Sequence, residues 1–144
     1  MTPPCINDVD LISKNMAVFK TQEEWFEQAD YDIETAEALF NAGRYIYTVF
    51  MCHLSIEKAL KGVYAKKFKK DPPKIHNLNY FIEETGLELP EKFQVFIDKL
   101  NGLSIPTRYP NEIKKLIREY KKDLTEKVLD ETKELLLCLK QKMI

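Results

Sequence analysis

The residues best equipped for chemistry stand in MCHLSIEKALKG (51–62), where His53, Glu57 and Lys61 recur every fourth position. On a helix that spacing stacks an imidazole, a carboxylate and an ammonium into one stripe. The stripe borders Leu60 and Tyr64 and follows Val49 and Phe50, so it lies at the edge of a core-facing side, where an ionised group is costly unless it is partnered. Glu57 and Lys61 can pair with each other, a contact worth about 0.2–0.5 kcal/mol on an exposed face, leaving His53 as a satisfied, half-buried histidine. A carboxylate in that position also invites an arginine from elsewhere in the chain. Arg108 is the candidate, held in IPTRYPNE (105–112) between Pro106 and Pro110, because a guanidinium can fork onto a carboxylate with two hydrogen bonds. Tyr109 would then pack its ring against the bundle or against a dimer mate.

Other chemistry is weakly represented. His76 precedes a helix start with Asn77 as a plausible N-cap, which makes it a capping or loop-anchoring residue rather than a metal ligand. Two histidines isolated in sequence, with no close carboxylate pair at ligand spacing, argue against a dedicated metal site, and no cofactor is expected. There is no glycine-rich phosphate loop and no GxSxG. The three cysteines Cys5, Cys52 and Cys138 lack CxxC spacing, which suits free thiols in a reducing cytoplasm. Cys52 and Cys138 sit among apolar neighbours and read as small buried hydrophobes.

The net charge of −1 conceals an asymmetry. Residues 1–43 hold nine acids against two lysines, and residues 44–144 hold 20 bases against 14 acids. The positive charge gathers in KGVYAKKFKKDPPK (61–74) and IKKLIREYKK (113–122). Lys66, Lys67, Lys114, Lys115 and Arg118 are therefore the candidate phosphate contacts. The competing reading is a set of solvated helix faces, with lysines favoured by the dipole near helix ends.

These groups must be positioned by helices. At 144 residues, with 44% apolar and 31% charged residues, the chain fits one helix-rich globular domain with a real core. No apolar run approaches the roughly 20 residues of a membrane span, and the N-terminus lacks the pattern of a secretory signal. Residues 1–20 read as an arm, and residues 21–144 as a single helical domain. Thr21 opens TQEE, a capping box, and Phe26, Ala29, Ile33, Ala36 and Phe40 mark a first helix ended by Gly43. A longer helix over 44–68 presents Val49, Ile56, Leu60 and Val63 and stops before Asp71-Pro72-Pro73. The short link predicts that these two pack as an antiparallel hairpin. A short helix ends at Gly86, another runs over 90–100 with Phe93, Phe96, Ile97 and Leu100, and Asp123 or Thr125 would cap a last one. The prediction is an all-α, antiparallel up-and-down helical bundle of four to five helices.

An ordered set of short motifs carries a resemblance. Trp25 and Ala29, then Gly43-Arg44-Tyr45, then His53 with Glu57-Lys58-Ala59-Leu60-Lys61, then His76-Asn77-Leu78, then Pro106 to Pro110 together resemble the HEPN domain (the higher eukaryote and prokaryote nucleotide-binding domain). One departure is Leu54, where many members carry glutamine. The resemblance implies an all-α bundle that dimerises and associates with nucleotides or RNA. It also implies a nucleotidyltransferase-type protein partner, as in toxin–antitoxin pairs. Many members are metal-independent endoribonucleases whose signature is an arginine followed four to six residues later by a histidine. No histidine follows His76 here. Arg44 and His53 are nine helical steps apart, about 900° of turn and roughly 13 Å of rise, and so face opposite sides. The reading is a binding module without the usual ribonuclease signature, a homodimer in the cytoplasm. The alternatives are an endoribonuclease of the kind the resemblance implies, with a non-standard site using His53 and Arg108, and a purely structural oligomerisation domain.

Overall fold

The computed structural model describes residues 19–103 and 110–142. Among them the chain forms six helices: α1 Gln22–Asn41, α2 Tyr45–Phe68, α3 Leu78–Thr85, α4 Glu91–Leu103, α5 Pro110–Glu119 and α6 Lys122–Lys142. The all-α bundle is as expected, but the number of helices is not four to five. The addition is α5, within a stretch noted only for its charge. Its Ile113 and Leu116, with Tyr120 just past its end, recur at helical spacing, Leu116 and Tyr120 are buried in the core, and Pro110 occupies the first helical position, where a missing N–H costs nothing.

Thr21 caps α1 as its sequence foretells. Its side chain accepts the Glu24 N–H while the Glu24 carboxylate accepts the Thr21 N–H. At the other end Gly43, at φ 78°, takes the left-handed conformation that lets its N–H reach the Phe40 carbonyl and that of Arg44 reach Leu39. This closure reverses the chain tightly. Gly62 of α2 then lies against Trp25 and Phe26, while Ser55 donates to the Ala29 carbonyl at 2.8 Å. These two pairings run in opposite directions, so α1 and α2 form the antiparallel hairpin.

Helix α2 is the hub and packs against every other helix. It buries residues on nearly all sides, including Val49, Ile56, Leu60, Val63 and Tyr64, which is the pattern of a central helix. Helix α4 contributes Phe93, Phe96, Ile97 and Leu100 to the core. Helix α6 contributes Val128, Thr132, Leu135, Leu136 and Leu139. Its start differs from expectation, because Asp123 and Thr125 both lie inside the first turn rather than at the cap. Thr125 is fully buried and its hydroxyl finds no partner among the described residues.

Cys52 is fully buried in this core, and burial raises its thiol from the ordinary value of 9.0 to about 11. The unfolded chain therefore releases this proton at lower pH than the folded one. The associated stability is intact below about pH 9 and falls away as pH rises through about 11. Urea melts from about pH 8 to 11 are expected to show this loss, and to show less of it in Cys52→Ala.

A buried carboxylate shared by two histidines and a lysine

Glu57 projects from the middle of α2 with its side chain only 5% exposed. A carboxylate taken out of water this far needs compensating partners. Lys61, one turn further on, places Nζ 3.0 Å from Oε2, so the predicted i,i+4 pair forms. It forms in a buried setting, with Lys61 8% exposed. The Lys61 ammonium also lies 5.9 Å from the Trp25 ring centroid and 5.8 Å from that of Phe81, which lends it cation–π stabilisation from α1 and α3.

His53, one turn before Glu57, is 2% exposed, and its Nδ1 stands 3.8 Å from Oε1. That is ion-pair range but too long for a hydrogen bond. The stripe of His53, Glu57 and Lys61 is thus assembled as the spacing predicts, deeper than expected for its histidine.

The residue missed is His76. Its Nδ1 lies 3.1 Å from both Glu57 oxygens, and its side chain is 57% exposed. The loop leading from α2 to α3 returns this imidazole over Glu57, held by two bonds around Asn77. The Asn77 side chain caps α3 by accepting the Asn79 N–H at 3.0 Å and accepts from the Asn101 amide at 2.9 Å. His76 is a loop anchor, as its position before a cap suggested. The two histidines are not isolated, however, since both converge on one carboxylate, 19 residues from His76 in sequence. Only the order of the HNL motif hinted at this, and nothing in the spacing specifies it. Among the described residues no three His, Cys, Asp or Glu side chains are arranged to hold a metal ion.

Chemically, Glu57 fixes the ring of His76 through Nδ1 and leaves the other ring nitrogen on the exposed side. An orienting carboxylate behind a histidine sets its tautomer and ring orientation. Arg108, expected beside Glu57, and Tyr109, expected to pack against the bundle or a dimer mate, lie outside the described residues.

The candidate phosphate contacts separate into two regions. Lys66 and Lys67 are exposed at the end of α2, where the Lys67 ammonium donates to the Thr85 carbonyl at 2.6 Å. They border an open groove of about 530 Å³ shared with Gly86, Leu87 and Lys142. Lys114, Lys115 and Arg118 are exposed along α5.

A long central helix carrying a buried carboxylate, wrapped by the other described helices and flanked by basic helical surfaces, defines a small all-α bundle module. The family profile of the HEPN domain matches residues 22–142, and the chain belongs to that family. Its fold is similar to TT1696 from Thermus thermophilus, with a TM-score of 0.72 and 23% identity over 84% of this chain and 97% of that one. It is also similar to ST0689, an archaeal HEPN homologue, with a TM-score of 0.69 and 20% identity over 88% of this chain and 100% of that one. No functionally curated protein matches the chain significantly. No helix among the described residues is long and apolar enough to cross a membrane.

Proposed function

We propose that this chain is a HEPN module that binds nucleotide or RNA phosphates without cleaving them, acting in the cytoplasm as a homodimer. In this reading it pairs with a nucleotidyltransferase-type protein of the toxin–antitoxin kind. Membership of the family supports the nucleic-acid association. The observation that carries it on this chain is α5, where Lys114, Lys115 and Arg118 face solvent. They form no ion pair among the described residues and so leave their positive charge available. The test is fluorescence anisotropy of a labelled single-stranded RNA against the full chain. The Lys114→Gln/Lys115→Gln/Arg118→Gln variant is expected to bind at least about tenfold more weakly. Equal binding by the variant removes α5 from the interface. Co-expression with a nucleotidyltransferase encoded beside this chain, followed by co-purification, tests the pairing separately.

One observation favours a second reading, an endoribonuclease. The exposed His76 is backed by Glu57 in the arrangement a general acid or base requires, and this moves the catalytic alternative from the buried His53 to His76. Incubation with mixed RNA decides between them. Cleavage by the wild-type chain that disappears in His76→Ala and survives in His53→Ala supports the enzyme. No cleavage by the wild-type chain supports the binding module.

A further inference from the structure

Tyr31, 66% exposed on the outer face of α1, is the most exposed large apolar side chain among the described residues. Glu27 and Glu34 stand four residues before it and three after it, so they share its face of the helix. Both are exposed, and neither forms an ion pair with a described residue. The acids on the sides of α1 that meet other helices are paired instead: Asp30 with Lys140, Asp32 with Lys58 and Glu37 with Lys133. Helix α1 itself carries no lysine or arginine. A lone exposed aromatic needs no explanation, but one set between two uncompensated carboxylates is a patch of defined chemistry.

Its complement lies elsewhere on the chain. A pocket of about 280 Å³ opens where α1 turns into α2 and α5 meets α6. Tyr47 and Ile117 border it, with 49% and 47% of their surface exposed. Arg44 and Lys121 give the rim positive charge, and no carboxylate among the described residues lines it. Its volume falls just under the roughly 300 Å³ at which small-molecule sites begin, a size that suits one inserted side chain. From Tyr31 to the end of α1 at Asn41 is about 15 Å of helix, so the ring does not reach the pocket of its own chain.

We propose that Tyr31 of one copy of this chain fills the pocket of a second copy. The ring lies between Tyr47 and Ile117, while Glu27 and Glu34 meet Arg44 and Lys121 on the rim. Aromatic surface then meets apolar surface, and carboxylates meet cations that, like themselves, have no ion pair within their own described chain. Tyrosine and arginine are also side chains that commonly anchor interfaces. Because knob and pocket sit at separate places, a twofold pair forms the contact twice, each copy donating Tyr31 to the other. The inference rests on the homodimer of the reading above and gives it an interface, one that uses none of Lys114, Lys115 and Arg118.

Sedimentation equilibrium of the full chain tests it. The wild type is expected to be a dimer, and Tyr31→Ala to raise its dissociation constant at least about tenfold. Glu27→Lys/Glu34→Lys and Arg44→Glu/Lys121→Glu are each expected to be monomeric alone, because like charges then meet. Mixed in equal amounts, the two are expected to form heterodimers, since each reversed face finds an opposite one; misfolded variants show no such rescue. All five positions are exposed, and circular dichroism checks that each variant is folded. A monomeric wild type overturns the contact and the homodimer together. A dimer unchanged by Tyr31→Ala or by either reversal overturns the contact and leaves the homodimer to another face. A mixture that stays monomeric overturns the pairing of the carboxylates with the rim cations.

Discussion

Glu57→Ala is expected to destabilise the fold by about 3–5 kcal/mol, the range for removing one partner of a buried ion pair. The cause is what stays behind. Lys61 is 8% exposed, with its ammonium held by Glu57 at 3.0 Å, and His76 anchors its loop through the same carboxylate. Truncation leaves a buried cation and releases the connection into α3. Replacing the pair together is a different matter, because apolar side chains of similar volume often substitute for a buried ion pair at little net cost. Glu57→Leu/Lys61→Met is therefore expected to recover most of the loss, and the single and double changes will not add. Urea unfolding followed by circular dichroism measures both. A loss below about 1 kcal/mol for Glu57→Ala, typical of a solvent-exposed pair, would show that the cluster is hydrated rather than buried.

Gly62→Ala sets two effects against each other. Alanine is the better helix former by about 0.8–1.0 kcal/mol, yet the added Cβ would stand 3.1 Å from Trp25 Cβ, 3.3 Å from Phe26 Cε1 and 3.4 Å from the Gln22 carbonyl oxygen. The Phe26 ring edge can give way. The Trp25 Cβ and the Gln22 carbonyl belong to the framework of α1 and move only if the helices separate. Overpacking of this kind costs about 1–3 kcal/mol, so packing outweighs the helix gain and the net loss is expected to be up to about 2 kcal/mol. Thermal melts are the check. A raised melting temperature would mean that α1 and α2 slide apart cheaply.

These two positions show what could be read from sequence and what could not. The hairpin of α1 and α2 was legible because local signals agree: a capping box at Thr21, a helical apolar stripe, and Gly43 where a left-handed residue is needed. Cys52 as a buried small residue follows from its apolar neighbours. The close approach at Gly62 was not legible, because a helical glycine gives no sign of which helix it faces. Helix α5 was passed over because its charge masked the spacing of Ile113, Leu116 and Tyr120. In the site, the stripe of His53, Glu57 and Lys61 is a property of one helix and followed from spacing alone. The His76 contact is a property of how a loop returns, which no local periodicity encodes. Arg108, expected as a partner of Glu57, lies outside the described residues, and the partners found among the described residues are Lys61 and His76.

The arrangement assigns separate tasks to the two sets of polar residues. Glu57 and Lys61 hold the bundle together, with His76 at the only described edge of that cluster that is mostly exposed. The cations of α5 are left facing solvent. Binding through such cations must release counterions from a nucleic acid, and salt dependence counts them.

The most direct measurement is therefore the RNA affinity of the full chain as a function of salt, for the wild type and for Lys114→Gln/Lys115→Gln/Arg118→Gln. The expected result is affinity that falls linearly on a log–log plot, with a slope shallower by about 2 in the variant, since each phosphate contact on a single strand contributes about 0.7. Binding that ignores salt, or identical slopes for the two proteins, would contradict a phosphate-binding role for α5.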